Sequence, residues 1–227
     1  MKIQPPLPTG MLSLQTTSQP SSLLPSAILA HLTSLQSKKV FLMSNNSSRQ
    51  FLEDESTGLV PLLSSQNLLA APLNTSVGMG GGHAGILQAC KDAFDCRADV
   101  IVTVGGGAIQ DAGKFVRLWL SSSPSDEECT LENLLKISPD DSSKLPPQIS
   151  IPNSFALAEA SHVAGLNTPS KTKSGAASPS MICTHVVFDP VLARDLPDWV
   201  KYGTAMRGLE HGIGVICHPG AGEDLRE

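Results

Sequence analysis

The sequence has few aromatic side chains and no long apolar run. Aromatic residues make up 4% of the 227 positions, although 41% of all residues are hydrophobic. A core of this composition has to be built from Leu, Val, Ile and Ala, as in the buried sheets of α/β proteins. No apolar run approaches the roughly 20 residues that a membrane-spanning helix needs. The sequence therefore predicts an α/β protein that does not enter a membrane.

Paired cysteines and an excess of basic residues are also missing. The five cysteines form no C-x-x-C pattern, so we expect reduced thiols, a cytoplasmic protein and no structural zinc site. The net charge of −5 argues against binding to nucleic acid or to an anionic membrane surface. The Pro- and Ser-rich start of the chain lacks the apolar core and cleavage site of a signal peptide.

What the sequence does contain is a glycine-rich junction between a strand and a helix. Val100–Val104 predicts a buried strand, Ala108–Leu120 predicts a buried helix, and Gly105, Gly106 and Gly107 join them. Glycines let a ligand approach the backbone closely, and the free N–H groups at a helix start attract an anion. The junction predicts a phosphate cradle, although three glycines alone are equally consistent with a tight turn that binds nothing.

Other strands and helices are expected on both sides of this junction. Short apolar runs predict strands at 39–43, 148–152 and 181–188, and the first two are followed by polar loops. Helical spacing or polarity predicts helices at 26–37, with Ser26 as the N-cap, and at 49–60, 86–94 and 130–136. Residues 169–180 are expected to form a mobile segment. Ligands bind at the carboxyl ends of strands in an open α/β sheet, which is where the polar loops lie.

A second glycine-rich segment allows two interpretations. Gly80 to Gly85 matches G-x-G-x-x-G and precedes a predicted helix, as in a nucleotide-binding loop. The strand before it is weak, and the strand after it ends in the three glycines rather than in an acidic residue. A flexible turn into a helix is therefore the favoured interpretation.

Four segments, in this order, resemble the iron-type alcohol dehydrogenase superfamily, and within it the maleylacetate reductase branch. The first is GGGAIQDAGK, which ends at Lys114, and the second is IPNSFALAEAS, with Glu159 in the acidic place. The third is the strand end Phe188-Asp189-Pro190, and the fourth is GTAMRGLEHGIG. The chain resembles a member of this family that is shortened at its C-terminus.

The resemblance implies a fold, a division into domains and a cofactor. The fold is α/β, a Rossmann-like parallel sheet with flanking helices, followed by the beginning of an all-helical domain. Residues 1–36 are expected to form a loosely packed lead-in with a short helix, 37–195 the dinucleotide-binding domain and 196–227 the start of the helical domain. The cofactor is NAD or NADP, and the sequence leaves the choice open. The residues implied to bind it are Gly105, Gly106, Gly107, Asp111, Ser44, Asn45, Asn153, Ser154, Leu157 and Ser161.

The chain departs from the metal-dependent members of the family at one position. Those members carry Asp and His four residues apart on the GTAMRGLEH helix, whereas here Arg207 stands in the Asp place before His211. Because a guanidinium cannot ligate a cation, we expect no bound iron or zinc. Arg207 is instead expected to bind a substrate carboxylate and His211 to donate a proton. The alternatives are an ion pair of Arg207 with a nearby Glu and a histidine that only stabilises its helix.

These features together predict an NAD(P)H-dependent oxidoreductase that acts as a homodimer on a small molecule. It is expected to reduce a carbonyl or an activated double bond of a small carboxylated substrate. The alternative is a shortened relative without redox activity, which acts as a dehydratase, an isomerase or a partner subunit.

Overall fold

A five-stranded parallel sheet forms the centre of the computed structural model, which describes residues 13–14, 24–78, 81–122, 129–137, 145–194 and 196–217. The strand order is β1-β7-β4-β3-β2, and β5 and β6 form a separate antiparallel hairpin. The strands are β1 (Ser13–Leu14), β2 (Val40–Ser44), β3 (Val100–Gly105), β4 (Gln148–Pro152), β5 (Val163–Asn167), β6 (Lys173–Ala177) and β7 (His185–Phe188).

Eight helices accompany these strands in the described part of the chain. They are α1 (Leu24–Ser34), α2 (Arg49–Leu52), α3 (Leu59–Ser65), α4 (His83–Asp95), α5 (Gly107–Ser121), α6 (Leu131–Lys136), α7 (Pro190–Arg194) and α8 (Asp198–Cys217). Short 3-10 turns lie at Asn46–Ser48, Ala158–Ala160 and Pro179–Met181. The parallel sheet with flanking helices confirms the predicted fold class.

Both faces of the sheet are buried. Phe41, Met43 and Ile101 belong to a core that includes residues of α4 and α5. On the opposite face, Val40 and Val102 belong to a core that includes residues of α1 and α3. Because successive side chains of a strand point to opposite faces, burial on both faces explains why the central strands are apolar without alternation.

The two described elements before β2, α1 and β1, also contact the sheet. Three buried side chains of α1, Leu24, Ile28 and Leu32, pack in the second of these cores. β1 pairs in parallel with β7 at one edge of the sheet. The limits of the three predicted domains stay predictions.

Four local predictions were wrong. α1 begins at Leu24, so Ser26 is not its N-cap. The predicted helix at 49–60 is interrupted after α2, since the Asp54 carboxylate accepts hydrogen bonds from Ser56 and Thr57 and stabilises a turn. The predicted mobile segment at 169–180 contains β6, and the strand predicted from residue 181 begins only at His185.

The last helix, α8, is mostly exposed. Six large apolar side chains spaced three or four residues apart form an exposed row on it: Trp199, Tyr202, Met206, Leu209, Ile213 and Ile216. The opposite face touches the loop after β4, where Phe155 N–H donates a 3.1 Å hydrogen bond to Thr204 Oγ1. No helix in the described ranges is long and apolar enough to cross a membrane.

The packing of α5 against the sheet predicts an unusual effect of a glycine substitution. A Cβ added to Gly113 would lie 2.5 Å from Thr103 Cγ2 and 2.6 Å from Gln148 Nε2. Gly113→Ala should therefore lower the free energy of unfolding by about 2 kcal/mol, although alanine favours helices over glycine. The matched control is Gly203→Ala on α8, where nothing lies within 4 Å and a small gain is expected. Thermal unfolding of both variants measures the difference, and equal effects would contradict the close packing.

Candidate functional site

The carboxyl ends of β2, β3 and β4 meet at one edge of the sheet. In the register of the strands, Ser44 pairs with Val104 and Gly105 pairs with Pro152. The loop after β4 lies against the glycine-rich junction, because a Cβ on Gly106 would lie 3.2 Å from Ser154 Oγ and 3.8 Å from Asn153 Oδ1. The structure thus brings together most of the residues that the sequence predicted to bind a cofactor.

The glycine-rich junction has a conformation that side chains would prevent. Gly105 has a φ of +156°, and a Cβ there would lie 2.8 Å from Ile109 Cγ1. α5 begins at Gly107, and its first intrahelical bonds run from the N–H groups of Ile109 and Gln110 to Gly106 O. The N–H groups before them have no acceptor within the helix. With no acidic residue in the first turn, this helix start can bind an anion.

Buried polar side chains hold the junction in place. Gln110 Nε2 donates to Gly105 O at 3.0 Å, while its Oε1 accepts from Thr103 Oγ1 at 2.5 Å and from Ser150 Oγ at 2.6 Å. All three of these side chains are buried. Because an unpaired polar group is costly in a core, this network favours a single position for the start of α5.

A buried lysine connects α5 to the segment between β4 and β5. Lys114 is fully buried, and its Nζ donates to Ala158 O at 2.7 Å, Ser161 O at 2.8 Å and Val163 O at 2.7 Å. Its partner Asp111 lies 3.4 Å from Nζ and accepts a 3.0 Å bond from the N–H of Gly165. Burial raises the pKa of Asp111, and the Lys114 ammonium opposes that shift. Asp111 and Ser161 thus position the loop that faces the glycines.

A second buried carboxyl lies in the same segment. Glu159 is 2% exposed, and its Oε1 has no hydrogen-bond partner among the described residues. Burial raises the pKa of Glu159, Lys114 lowers it, and Asp111 raises it further. The Glu159 carboxyl therefore keeps its proton to a higher pH than an exposed glutamate does.

Leu157 connects the cradle with α8. Its φ of +56° and ψ of 21° are in the left-handed region, which costs a non-glycine residue about 1–2 kcal/mol. Its Cδ1 lies 3.2 Å from the position of a Cβ on Gly208, so the missing side chain of Gly208 makes room for it. About half of Leu157 remains exposed next to α8.

The remaining predicted site residues lie in different surroundings. Ser44 is buried, and its Oγ donates to Val104 O at 2.7 Å, so its hydroxyl faces β3. Asn45 caps the following 3-10 turn through its side chain. Arg207 and His211 are exposed on α8, and Arg207 Nη1 lies 3.9 Å from Glu210 Oε2 in an exposed ion pair. The structure describes no contact between these two side chains and the glycines.

The described residues do not assemble a metal site. Within those ranges no group of three or more His, Cys, Asp or Glu side chains is close enough to hold a cation. His218, which follows the family's histidine place by seven residues, lies outside the described residues.

Sequence reasoning missed two parts of this site. The β5–β6 hairpin was expected to be loop, because its small and hydroxyl residues carry no apolar alternation. The loop before α4 also reaches the cradle. A Cβ on Gly81 would lie 3.7 Å from Gly165 O and 3.9 Å from Ala108 Cβ. The carbonyl oxygen of Gly81 accepts a hydrogen bond from the N–H of Asn167. Its glycine pattern was the available signal, although Gly80 lies outside the described residues.

Comparisons with known proteins agree with this arrangement. A family model described as iron-containing alcohol dehydrogenase matches residues 26–190. The dehydrogenase FUM7 of Gibberella moniliformis is 29% identical over 200 residues, which are 81% of this chain and 45% of that protein. The maleylacetate reductase of Agrobacterium tumefaciens shares the fold with a TM-score of 0.68 and 16% identity, and the match covers 90% of this chain and 49% of that one. The NADH-dependent butanol dehydrogenase A of Thermotoga maritima shares the fold with a TM-score of 0.74 and 15% identity. That match covers 90% of this chain and 50% of the other.

The fold and the site define an α/β protein with a glycine loop at the edge of a parallel sheet. The chain belongs to the iron-containing alcohol dehydrogenase family, whose members are oxidoreductases. This confirms the resemblance seen in the sequence. The chain spans about half the length of the relatives it matches.

The contacts of Lys114 predict that it holds the site together. Lys114→Met should lower the free energy of unfolding by about 3–5 kcal/mol, because it leaves three carbonyls and the partly buried Asp111 carboxylate without their cation. The control is Lys136→Met, which breaks an exposed 2.7 Å ion pair with Glu132 and should cost far less, because solvent screens the pair. Denaturant unfolding measures both, and similar losses would contradict the role of Lys114.

The raised pKa of Glu159 predicts a pH-dependent effect on stability. Because the folded chain retains this proton while the unfolded chain releases it near pH 4.5, stability falls as the pH rises from 4.5 through the raised pKa. Glu159→Gln should therefore raise the melting temperature at pH 7 and have a smaller effect at pH 4. Glu132→Gln is the control, and its effect on the melting temperature at pH 7 should have the opposite sign. The reason is that Lys136 lowers the pKa of the exposed Glu132. A gain that does not change with pH would show that titration is not the cause.

Proposed function

We propose that this chain binds NAD or NADP and uses it to reduce a carbonyl or an activated double bond of a small carboxylated substrate. The observation that carries the proposal is the start of α5, where Gly105, Gly106 and Gly107 present backbone N–H groups at the carboxyl edge of a parallel sheet. Membership of a family of oxidoreductases supports the same activity.

The residues around the cradle fit a dinucleotide. The pyrophosphate would accept hydrogen bonds from the glycine loop, since a helix of 15 residues starts there without an acidic side chain. Asn153 and Ser154 lie beside Gly106 and would contact the same ligand. The bound dinucleotide supplies the hydride, and the chain supplies orientation and charge.

Two side chains of α8 would act on the substrate. Arg207 and His211 are four residues apart and so share one face of the helix. The Arg207 guanidinium can bind a carboxylate through two N–H groups, after leaving its weak exposed pair with Glu210. His211 would donate the proton that completes the reduction once the bound dinucleotide has supplied the hydride. The maleylacetate reductase among the structural relatives supports an acidic substrate.

Titration of the purified chain with NADH and NADPH tests the proposal. Nicotinamide fluorescence should show saturable binding, and the complex should reduce maleylacetate-like acids. Gly106→Val should weaken binding at least about tenfold, because the side chain would collide with Ser154 and cover the N–H groups. Gly203→Ala, remote from the cradle, is the control for both affinity and folding.

The same titration separates the proposal from its alternative. A chain that is folded by circular dichroism but binds neither dinucleotide would contradict the proposal. That result would favour a relative without redox activity, such as a dehydratase, an isomerase or a partner subunit.

A further inference from the structure

The exposed row of α8 repeats with a period of seven residues. Intervals of three and four residues alternate along the whole row, which consists of Trp199, Tyr202, Met206, Leu209, Ile213 and Ile216. A strict heptad of apolar side chains is the pattern by which one helix packs along another in a left-handed coiled coil. A surface helix normally turns its apolar stripe toward the core of its own chain, whereas this row points into solvent. The row therefore has the pattern of a surface that binds another helix.

The opposite face of α8 holds the helix against its own chain. Gly208 is buried on that face, and Val200 and Thr204 are half-buried. Thr204 Oγ1 accepts the bond from Phe155 N–H, and Leu157 Cδ1 lies 3.2 Å from the position of a Cβ on Gly208. Because 3.6 residues make one turn, this face and the row lie on opposite sides of the helix. A partner can therefore cover the row without displacing α8, and the helix is already formed when the partner binds.

The row is large enough for a stable interface. Its six side chains are between 50% and 71% exposed. Covering them would remove on the order of 700 Å² from water on one copy, close to the roughly 800 Å² per partner of a standard interface. The residues beside the row are small, and in the described structure nothing lies within 4 Å of a Cβ placed on Gly203 or Gly212. A second helix can therefore approach the backbone of α8 closely.

The row is complementary to itself when two copies lie antiparallel. A two-fold axis at the middle of the row sets Met206 against Leu209 of the second copy. The same axis sets the larger side chains against the smaller ones, with Trp199 against Ile216 and Tyr202 against Ile213. A parallel pair would instead crowd four aromatic side chains at one end and leave only isoleucines at the other. Because the distance between packed helices follows the size of the side chains between them, the antiparallel pair keeps an even spacing.

The charges on α8 favour a second copy over a membrane surface. A helix that lies in a membrane interface has a polar face rich in Lys and Arg. On α8, Lys201 lies 3.9 Å from Asp198 and Arg207 lies 3.9 Å from Glu210, so each cation is next to a carboxylate. The net charge of the whole chain is −5, which disfavours an anionic membrane. The uncharged row of a second copy meets no such repulsion.

We infer that the exposed row of α8 binds the same row of a second copy of this chain in an antiparallel arrangement. The inference assigns a surface to the homodimer that was predicted from the sequence. It goes beyond the proposed function and does not depend on it, because Arg207 and His211 lie outside the row.

The association of the chain tests the inference directly. Sedimentation equilibrium in the micromolar range should give twice the 23.8 kDa of one chain. Dilution should dissociate the dimer and shift the tryptophan emission to longer wavelength, because Trp199 becomes exposed while Trp119 stays buried. A monomer throughout this range would overturn the inference, also if that monomer sediments with vesicles of anionic phospholipid. A dimer that dissociates without a change in emission would place the interface elsewhere and overturn it as well.

A charge at the centre of the row should prevent association. Leu209→Glu should raise the dissociation constant of the dimer at least about a hundredfold, because two carboxylates would be buried in an apolar interface. Phe94→Glu is the matched control, since it places the same charge on an apolar side chain of α4 that is 38% exposed. The control should dimerise like the unchanged chain, and circular dichroism verifies that both variants are folded. Equal effects of the two variants would contradict an interface on α8.

A mixture of two variants tests the antiparallel arrangement. Met206→Lys and Leu209→Glu should each be monomeric alone but form a mixed dimer together. In the antiparallel pair the new ammonium group faces the new carboxylate, and the remaining Leu209 faces the remaining Met206. A parallel pair would set each position against itself, so neither new charge would meet the other. A mixture that stays monomeric would overturn the antiparallel arrangement.

Discussion

The geometry of the site depends on one buried ammonium group. Lys114 Nζ is fully enclosed and is hydrogen-bonded to three backbone carbonyls between residues 158 and 163. The helix that carries it begins at the glycine loop, and the carbonyls belong to the segment that covers that loop. A buried charge is expensive unless it is paired, so the chain has few ways to satisfy Lys114 other than this one. The same bonds that stabilise the lysine therefore fix the distance between the two walls of the cradle.

Polar groups, rather than apolar packing, position most of the site. The Gln110 side chain connects β3, β4 and the first glycine through a buried network, and Asp111 holds the N–H of Gly165. Apolar contacts tolerate small shifts, whereas hydrogen bonds in a core lose much of their free energy when their geometry changes. These hydrogen bonds therefore favour a single geometry for the glycine loop.

The sequence predicted the parts of this arrangement that follow from local pattern. The strand, glycines and helix of residues 100–120 were predicted because a buried strand and a buried helix differ in apolar spacing. The hairpin of β5 and β6 was missed, since Gly175 is present for close backbone approach: a Cβ there would collide with the carbonyl oxygen of Ala164. The role of Lys114 was also missed, because its partners are main-chain carbonyls that no side-chain pattern reveals. The motif showed that Lys was present, and only the fold shows what it binds.

The glycine cradle and the helix α8, which carries Arg207 and His211, differ in how firmly the rest of the chain holds them. The cradle is enclosed by a core on each face of the sheet, whereas α8 exposes its apolar row and touches the rest of the chain at few points. One of them is the contact of Leu157 with Gly208, where a leucine occupies a left-handed conformation that glycine would adopt freely. A strained backbone persists when its surroundings require it, and here the strained residue directs a side chain into the gap that Gly208 leaves on α8. Arg207 adjoins Gly208, and His211 lies one turn farther along the same helix. The placement of α8 against the loop between residues 153 and 161 therefore depends on this contact and on the hydrogen bond from Phe155 to Thr204, so in the proposed function this loop would connect cofactor binding to the substrate chemistry.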